Sequence, residues 1–176
     1  MPTLRGENVV LRKFSAADLA MVREAAGDPF IPLITSVPAH GNDVECLAFL
    51  ARQHERSESG AGYSFAVEDQ HTGQAVGQIG LWLKGLEDGR ASVGYWIVAS
   101  HRQRGIARRA LSLVTRWGIE HRGIARLELY VEPWNTASWR TAESVGYQRE
   151  GLLRAWQQVG GQRRDMYMYS RLASGR

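Results

Sequence analysis

Hydrophobic and polar positions keep a period of two through much of the first hundred residues. Val9, Leu11 and Phe14 are spaced as in a half-buried strand. Ser15-Ala16-Ala17-Asp18 then predicts a helix start, with Ser15 as cap and Asp18 three positions on. Gly27-Asp28-Pro29 should stop that helix, and Ile31 to Gly41, with Pro32 and Pro38, reads as a loop. Asp43 to about Arg56 has Val44, Leu47, Ala48 and Leu50 near helical spacing. Strands follow at Tyr63 to Glu68 and Ala75 to Leu83, joined by the turn Asp69 to Gln74. After a second turn at Gly85 to Gly89, Ala91 to Val98 is the next strand.

The period then changes. Ile106, Ala110, Leu113, Val114 and Trp117 share one face of a helix that ends at His121-Arg122-Gly123. Leu127, Leu129 and Val131 alternate with Glu128, Tyr130 and Glu132 as a strand. Strand, helix and strand in this order predict a crossover, with Ala91–Val98 and Arg126–Val131 parallel. A helix from about Asn135 to Val145 stops at Gly146, and strands near Tyr147–Leu153 and Met166–Leu172 form a hairpin. Ala173-Ser174-Gly175-Arg176 should be a loose tail. The expected class is α/β (α+β): a mixed, mostly antiparallel sheet flanked by helices.

Composition narrows the setting. A chain of 176 residues, 44% hydrophobic and 23% charged, suits a single domain over 1–176. No apolar run approaches the roughly 20 residues that span a bilayer. The opening Met1-Pro2-Thr3-Leu4-Arg5-Gly6 lacks a signal segment, so a cytoplasmic location is expected, which the single cysteine, Cys46, fits. The five histidines (His40, His54, His71, His101, His121) lack ligand spacing, so no metal is expected. A net charge of +4 suits an anionic ligand and is too mild to imply nucleic acid.

That charge is concentrated. Arg102, Arg104, Arg108 and Arg109 fall within the turn and helix start that follow the strand ending at Val98. In Arg102-Gln103-Arg104-Gly105-Ile106-Ala107 the small residues let a ligand approach the main chain. The first helical amides lack intrahelical acceptors and sit at the positive end of the helix dipole, so a phosphate can rest there.

Arg102-x-x-Gly105-x-Ala107 resembles the pyrophosphate signature of the Gcn5-related N-acetyltransferase (GNAT) superfamily. Gly94-Tyr95-Trp96-Ile97-Val98 looks like that family's fourth strand. Asn135-x-x-Ser138 with Ser144-Val145-Gly146-Tyr147, Leu4 to Arg12 and Arg164 to Tyr169 resemble its Rim-type branch of ribosomal-protein N-terminal acetyltransferases. The resemblance implies a GNAT-like sheet whose fourth and fifth strands splay around pantetheine. It implies acetyl-CoA as acyl donor and an amine as acceptor, a peptide N-terminus or a small amine, and it allows a homodimer. Main-chain groups of Ile97, Val98 and Ala99 would hold pantetheine. Amides of Gln103, Arg104, Gly105, Ile106, Ala107 and Arg108 would hold pyrophosphate, with Arg102, Arg104 or Arg109 near the 3′-phosphate.

For the chemistry, a Val98 amide would stabilise the oxyanion, Ser138 would protonate the leaving thiolate and Asn135 would contact pantetheine. Asn135 and Ser138 also suit a helix start on their own. The tyrosine that many relatives carry on this helix is missing between Asn135 and Gly146. Gln157 aligns with the acidic residue of Rim-type enzymes and cannot take a proton, which leaves Glu68, Glu132 and Asp165 as candidate bases. Trp134 and Trp139 are candidate walls of an acceptor site. Transfer of another acyl group, such as succinyl, and a non-catalytic coenzyme A sensor are the alternatives.

Overall fold

The computed structural model describes residues 1–173; the expected loose tail lies outside them except for Ala173, whose amide donates to Ala125 O at 2.9 Å. Eight strands form one sheet: β1 Leu4–Gly6, β2 Val9–Arg12, β3 Gly62–Asp69, β4 Gln74–Trp82, β5 Arg90–Ile97, β6 Arg126–Val131, β7 Gln148–Val159 and β8 Gln162–Leu172. Their order is β1-β2-β3-β4-β5-β6-β8-β7, and every pairing is antiparallel except β5 with β6. The helices are α1 Leu19–Ala26, α2 Ile31–Ile34, α3 Asp43–Glu58, α4 Ile106–Arg122 and α5 Thr136–Ser144. The mixed, mostly antiparallel sheet with a parallel crossover is thus as the residue pattern predicts.

Three differences have local causes. Leu4–Gly6 pairs with β2 across a turn where Asn8 takes φ 57°; three residues are too few to show a period. Ile31–Ile34 is helical although it carries Pro32, because proline is tolerated in the first helical turn. The final hairpin runs further than its apolar alternation, past Leu153 to Val159 and back from Gln162 rather than Met166. Nearly all of β7 is solvent-exposed, so packing leaves no alternation there to read.

Packing places α4. Its Ile106, Leu111, Leu113 and Val114 are buried, each contributing about 1.5–3 kcal/mol. The helix dipole is worth about 0.3–1 kcal/mol. Burial therefore fixes the helix, and its N-terminal amides remain available to a ligand.

The two sheet faces differ. On one, α3 is tied down by a buried polar network. Gln53 Oε1 accepts from Ser64 Oγ at 3.0 Å and Gln78 Nε2 at 3.1 Å, and Trp96 Nε1 donates to Gln78 Oε1 at 2.7 Å. No buried side-chain polar atom among the described residues lacks a partner, which is what makes such a network rigid. On the other face lie α4 and α5, with Trp117 packed edge to face against Tyr63 and Phe65.

Candidate active site

The parallel pairing of β5 with β6 covers only Arg90–Ser92 against Arg126–Glu128. Beyond it the strands continue to Ile97 and Val131 without pairing, so they part in a V. A cavity of about 510 Å3 occupies this gap. It is lined from α5 by Ser138 and from the α3 side by Arg56, Trp82 and Gln78, so it passes through the sheet.

The strand alternation explains this. Trp96 turns to α3, with its ring 6.5 Å from that of Phe49. Tyr95 turns to α5, where its hydroxyl lies 3.1 Å from both Ser138 O and Ser138 Oγ. Burial raises the Tyr95 pKa, opposed by its hydrogen bonds to Ser138 and Thr141, so its proton is firmly held. The tyrosine missing from α5 is thereby matched by one arriving from β5. The sequence carried Tyr95 in the fourth-strand motif, but only the fold brings it to Ser138.

Asn135 caps α5: its Oδ1 accepts from Ser138 N at 3.2 Å. Both residues line the cavity. The cap orients the first turn and leaves the Ser138 hydroxyl to Tyr95.

At the mouth of the V, Gln103 takes φ 63° and Gly105 φ 72°, which turns the chain into α4. Among the described residues, no main-chain acceptor is found for the amides of Gln103 to Arg108, while Arg109 N returns to Gly105 O at 3.2 Å. Six consecutive donors left open at a helix start form an anion cradle.

The arginines divide their work. Arg102 donates through Nε to Ile97 O at 2.9 Å and through Nη2 to Asp28 Oδ2. Arg104 bonds Ser100 O at 3.0 Å, and Arg109 bonds Arg104 O at 2.9 Å. The Arg102 amide goes to Ala99 O, and its partly exposed guanidinium braces the loop. Arg104 and Arg109, the other candidates for the 3′-phosphate, are likewise bonded within the loop, whereas Arg108 makes no side-chain hydrogen bond among the described residues.

One correction concerns Val98. Its amide, expected to hold an oxyanion, donates to Val76 O at 3.0 Å and is spent inside the sheet. Peptide groups of a strand alternate sides. With Val98 N–H on the β4 edge, those of Tyr95 and Ile97 turn into the V. Ala99 lies past the strand, in a short 3-10 turn.

Of the candidate bases, only Glu132 lines the cavity; its carboxylate lies 3.9 Å from Arg164 Nε. Glu68 is paired with Arg12, and Asp165 accepts from Ala155 N at 2.8 Å at the β7 irregularity. Gln157 lines the cavity as well. Trp134 forms part of its rim, packed at a tilt against Phe30 with ring centroids 4.9 Å apart, while Trp139 stands apart with Nε1 on Pro133 O at 3.3 Å.

Residues 8–148 match the acetyltransferase (GNAT) domain family. This chain belongs to the GNAT family. It is an N-acetyltransferase by that membership. The chain is 28% identical over 172 residues to the uncharacterized N-acetyltransferase p20 of Bacillus licheniformis, covering 98% of this GNAT chain and 97% of that one. Two solved structures share its fold. The RimJ of Mycobacterium smegmatis, in complex with CoA-disulfide, has a TM-score of 0.80 at 24% identity, covering 98% of this chain and 86% of that one. The ribosomal-protein-S5-alanine acetyltransferase of Vibrio fischeri has a TM-score of 0.81 at 17% identity, covering 99% and 98%. Among the described residues no group of side chains is arranged to hold a metal, and no helix is long and apolar enough to cross a membrane.

Proposed function

We propose that residues 1–176 act as one domain that moves the acetyl group of acetyl-CoA onto a primary amine by direct attack in a ternary complex. The observation that carries this reading is the run of open amides from Gln103 to Arg108 beside a cavity that crosses the sheet at Ser138 and Tyr95. RimJ of M. smegmatis binds a coenzyme A species on the same fold, which supports the donor.

Pyrophosphate rests on the amides of Gln103 to Arg108, with Arg108 supplying charge. Pantetheine runs along the free edge of β5 at Tyr95 and Ile97, and Asn135 borders it. The thioester carbon then lies near Ser138. The acceptor enters from the α3 side as an ammonium and must lose a proton before it attacks. Glu132, directly or through water, is the carboxylate placed to take that proton. Attack forms the N–C bond and moves a pair of electrons onto the carbonyl oxygen, where the Ile97 amide is the donor available in the V. Collapse breaks the C–S bond and releases the amide product. The Ser138 hydroxyl protonates the departing thiolate and takes up in exchange the proton that the nitrogen sheds on becoming an amide, while Tyr95, donating to Ser138 O and hydrogen-bonded to Ser138 Oγ, keeps that hydroxyl in place.

The acceptor class follows less directly. The V. fischeri relative is named for a ribosomal-protein alanine, so peptide N-termini are the first acceptors to assay, ahead of free small amines. The test is thiol release from acetyl-CoA against peptides and small amines, with the acetylated product identified by mass. Turnover that falls about 100-fold in Glu132→Gln, with a flattened acidic limb of the pH profile, is expected for a general base. An unchanged limb removes Glu132 from that role.

A further inference from the structure

The cavity lining contains one carboxylate, Glu132, and one guanidinium, Arg56. Glu132 has Arg164 beside it, 3.9 Å away. Arg56 has no carboxylate within ion-pair distance among the described residues; its recorded hydrogen bond is a long one, Nη2 to Ser36 Oγ at 3.5 Å. One turn earlier on α3, Arg52 reaches Ser36 O at 3.1 Å and adds a second unneutralised cation. Like charges at this helical spacing repel. Burial first, and Arg52 second, depress the Arg56 pKa, so the charge is held at a cost that no carboxylate among the described residues offsets.

The site is nevertheless rigid. Gln53, three residues before Arg56 on the same helix, is locked into the Ser64–Gln78 network. The Trp82 ring forms a plate under the guanidinium, 5.7 Å from centroid to Cζ. That plate lies across two glycines: a Cβ on Gly80 would stand 2.4 Å from Trp82 Cη2, and one on Gly94 would stand 3.2 Å from Cζ3. A planar guanidinium on an aromatic plate keeps its fork of donors free for a two-oxygen anion.

We propose that Arg56 binds a carboxylate or phosphate carried by the acceptor, so that the preferred substrates are amines bearing an anionic group. This rests on the reading of the cavity as an acetyl-transfer site whose α3 side takes the acceptor.

The experiment compares acceptors matched in their amine and differing in charge: Asp-initiated against Asn-initiated tetrapeptide amides, β-alanine against β-alanine amide, and phosphoethanolamine against ethanolamine. In the wild-type protein at least one anionic member should have a kcat/KM about 10- to 100-fold above its neutral mate. The pair that shows the gap identifies the source of the anion. Arg56→Gln should bring the anionic member down to the level of its mate without moving the KM for acetyl-CoA, and Arg56→Lys should restore only part of the gap. Equal kcat/KM across all three wild-type pairs, or an Arg56→Gln loss of the same factor for both members, overturns the proposal. If no amine turns over, acetyl transfer itself falls. Titration with phosphoethanolamine, read by tryptophan fluorescence, still decides the anion site: a saturable change lost in Arg56→Gln supports it, and no such change overturns it.

Discussion

At the donor end of the cavity, the turn from Gln103 to Arg108 presents main-chain amides in a conformation set by two left-handed residues and three internally bonded arginines. At the proposed acceptor end, across the V, recognition would rest on side chains from three separate segments: Arg56 of α3, Trp82 of β4, and Glu132 and Trp134 of the loop between β6 and α5. The first arrangement depends on main-chain conformation more than on what any side chain touches, because the amides belong to the fold. The second changes its ligand with a single substitution. On the proposed reading, a family can thus keep one donor while its acceptors diverge.

The sharpest way to break that contrast is to disturb the donor main chain. Gly105 has φ 72°, a conformation that a β-branched residue adopts only under strain of about 1–3 kcal/mol. A Cβ there would meet only the flexible tip of Arg109, at 2.9 Å, so strain rather than a core clash dominates. Gly105→Val should therefore weaken coenzyme A binding by at least about 100-fold, with strain and displaced amides acting together, in a protein that still unfolds cooperatively. Calorimetric titration checks it. Unchanged affinity would mean the phosphates rest elsewhere.

Next in size is the group where the two ends meet. Ser138→Ala should lower kcat about 100-fold and leave the KM for acetyl-CoA nearly unmoved, because the α5 cap uses the Ser138 amide and not its hydroxyl. A kcat within a factor of two or so of the parent would show that the thiolate departs unaided.

Tyr95→Phe sharpens the same point at lower cost. Removing one hydrogen-bonding hydroxyl should reduce kcat about 3- to 10-fold. Burial raises the Tyr95 pKa above its ordinary value, so the phenol stays protonated through neutral pH. The variant should accordingly keep the parent's pH profile between about 6 and 9, displaced only in height. A lost alkaline limb would make Tyr95 a titrating acid instead of a positioning group.

The same division decides what was legible in the residues alone. The donor loop could be read because its chemistry is local: Arg102 to Ala107 lies between a strand and a helix that both declare their periods. The sheet, the crossover and the helices around it followed for the same reason. The sequence does not reveal the strand edge that the Val98 amide faces or the partner that Arg102 finds. Both depend on contacts across the fold, Val98 with Val76 and Arg102 with Asp28. Tyr95 meets Ser138 from 43 positions away, and Arg56 reaches the cavity only because α3 lies across the sheet. No window of sequence contains either relationship.

The smallest effect tests whether the two ends are independent at all. Asp28, nearly buried, accepts from the amides of Phe30 and Ile31 at 2.8 and 3.0 Å, and so anchors the start of α2, whose Ile34 lines the acceptor side. Its other oxygen takes the Arg102 guanidinium that braces the donor loop. Burial works to raise the Asp28 pKa, but the two amides and Arg102 outweigh it and hold it below the ordinary carboxylate value. The folded state therefore prefers the charged form. Its stabilising contribution is complete above the unfolded pKa of about 3.9 and is lost as pH falls through the lower folded value. Asp28→Asn should cost about 1–2 kcal/mol at pH 7, a figure reduced because Arg102 is partly exposed, and lower Tm by about 3–6 °C. The gap to the parent should shrink as the pH drops below about 4. If the ends are coupled through this carboxylate, the variant also weakens both coenzyme A and acceptor binding by a few-fold. If only the coenzyme affinity moves, the acceptor end is held by α3 and its polar network alone, and the separation of the two sites is more complete than their shared anchor implies.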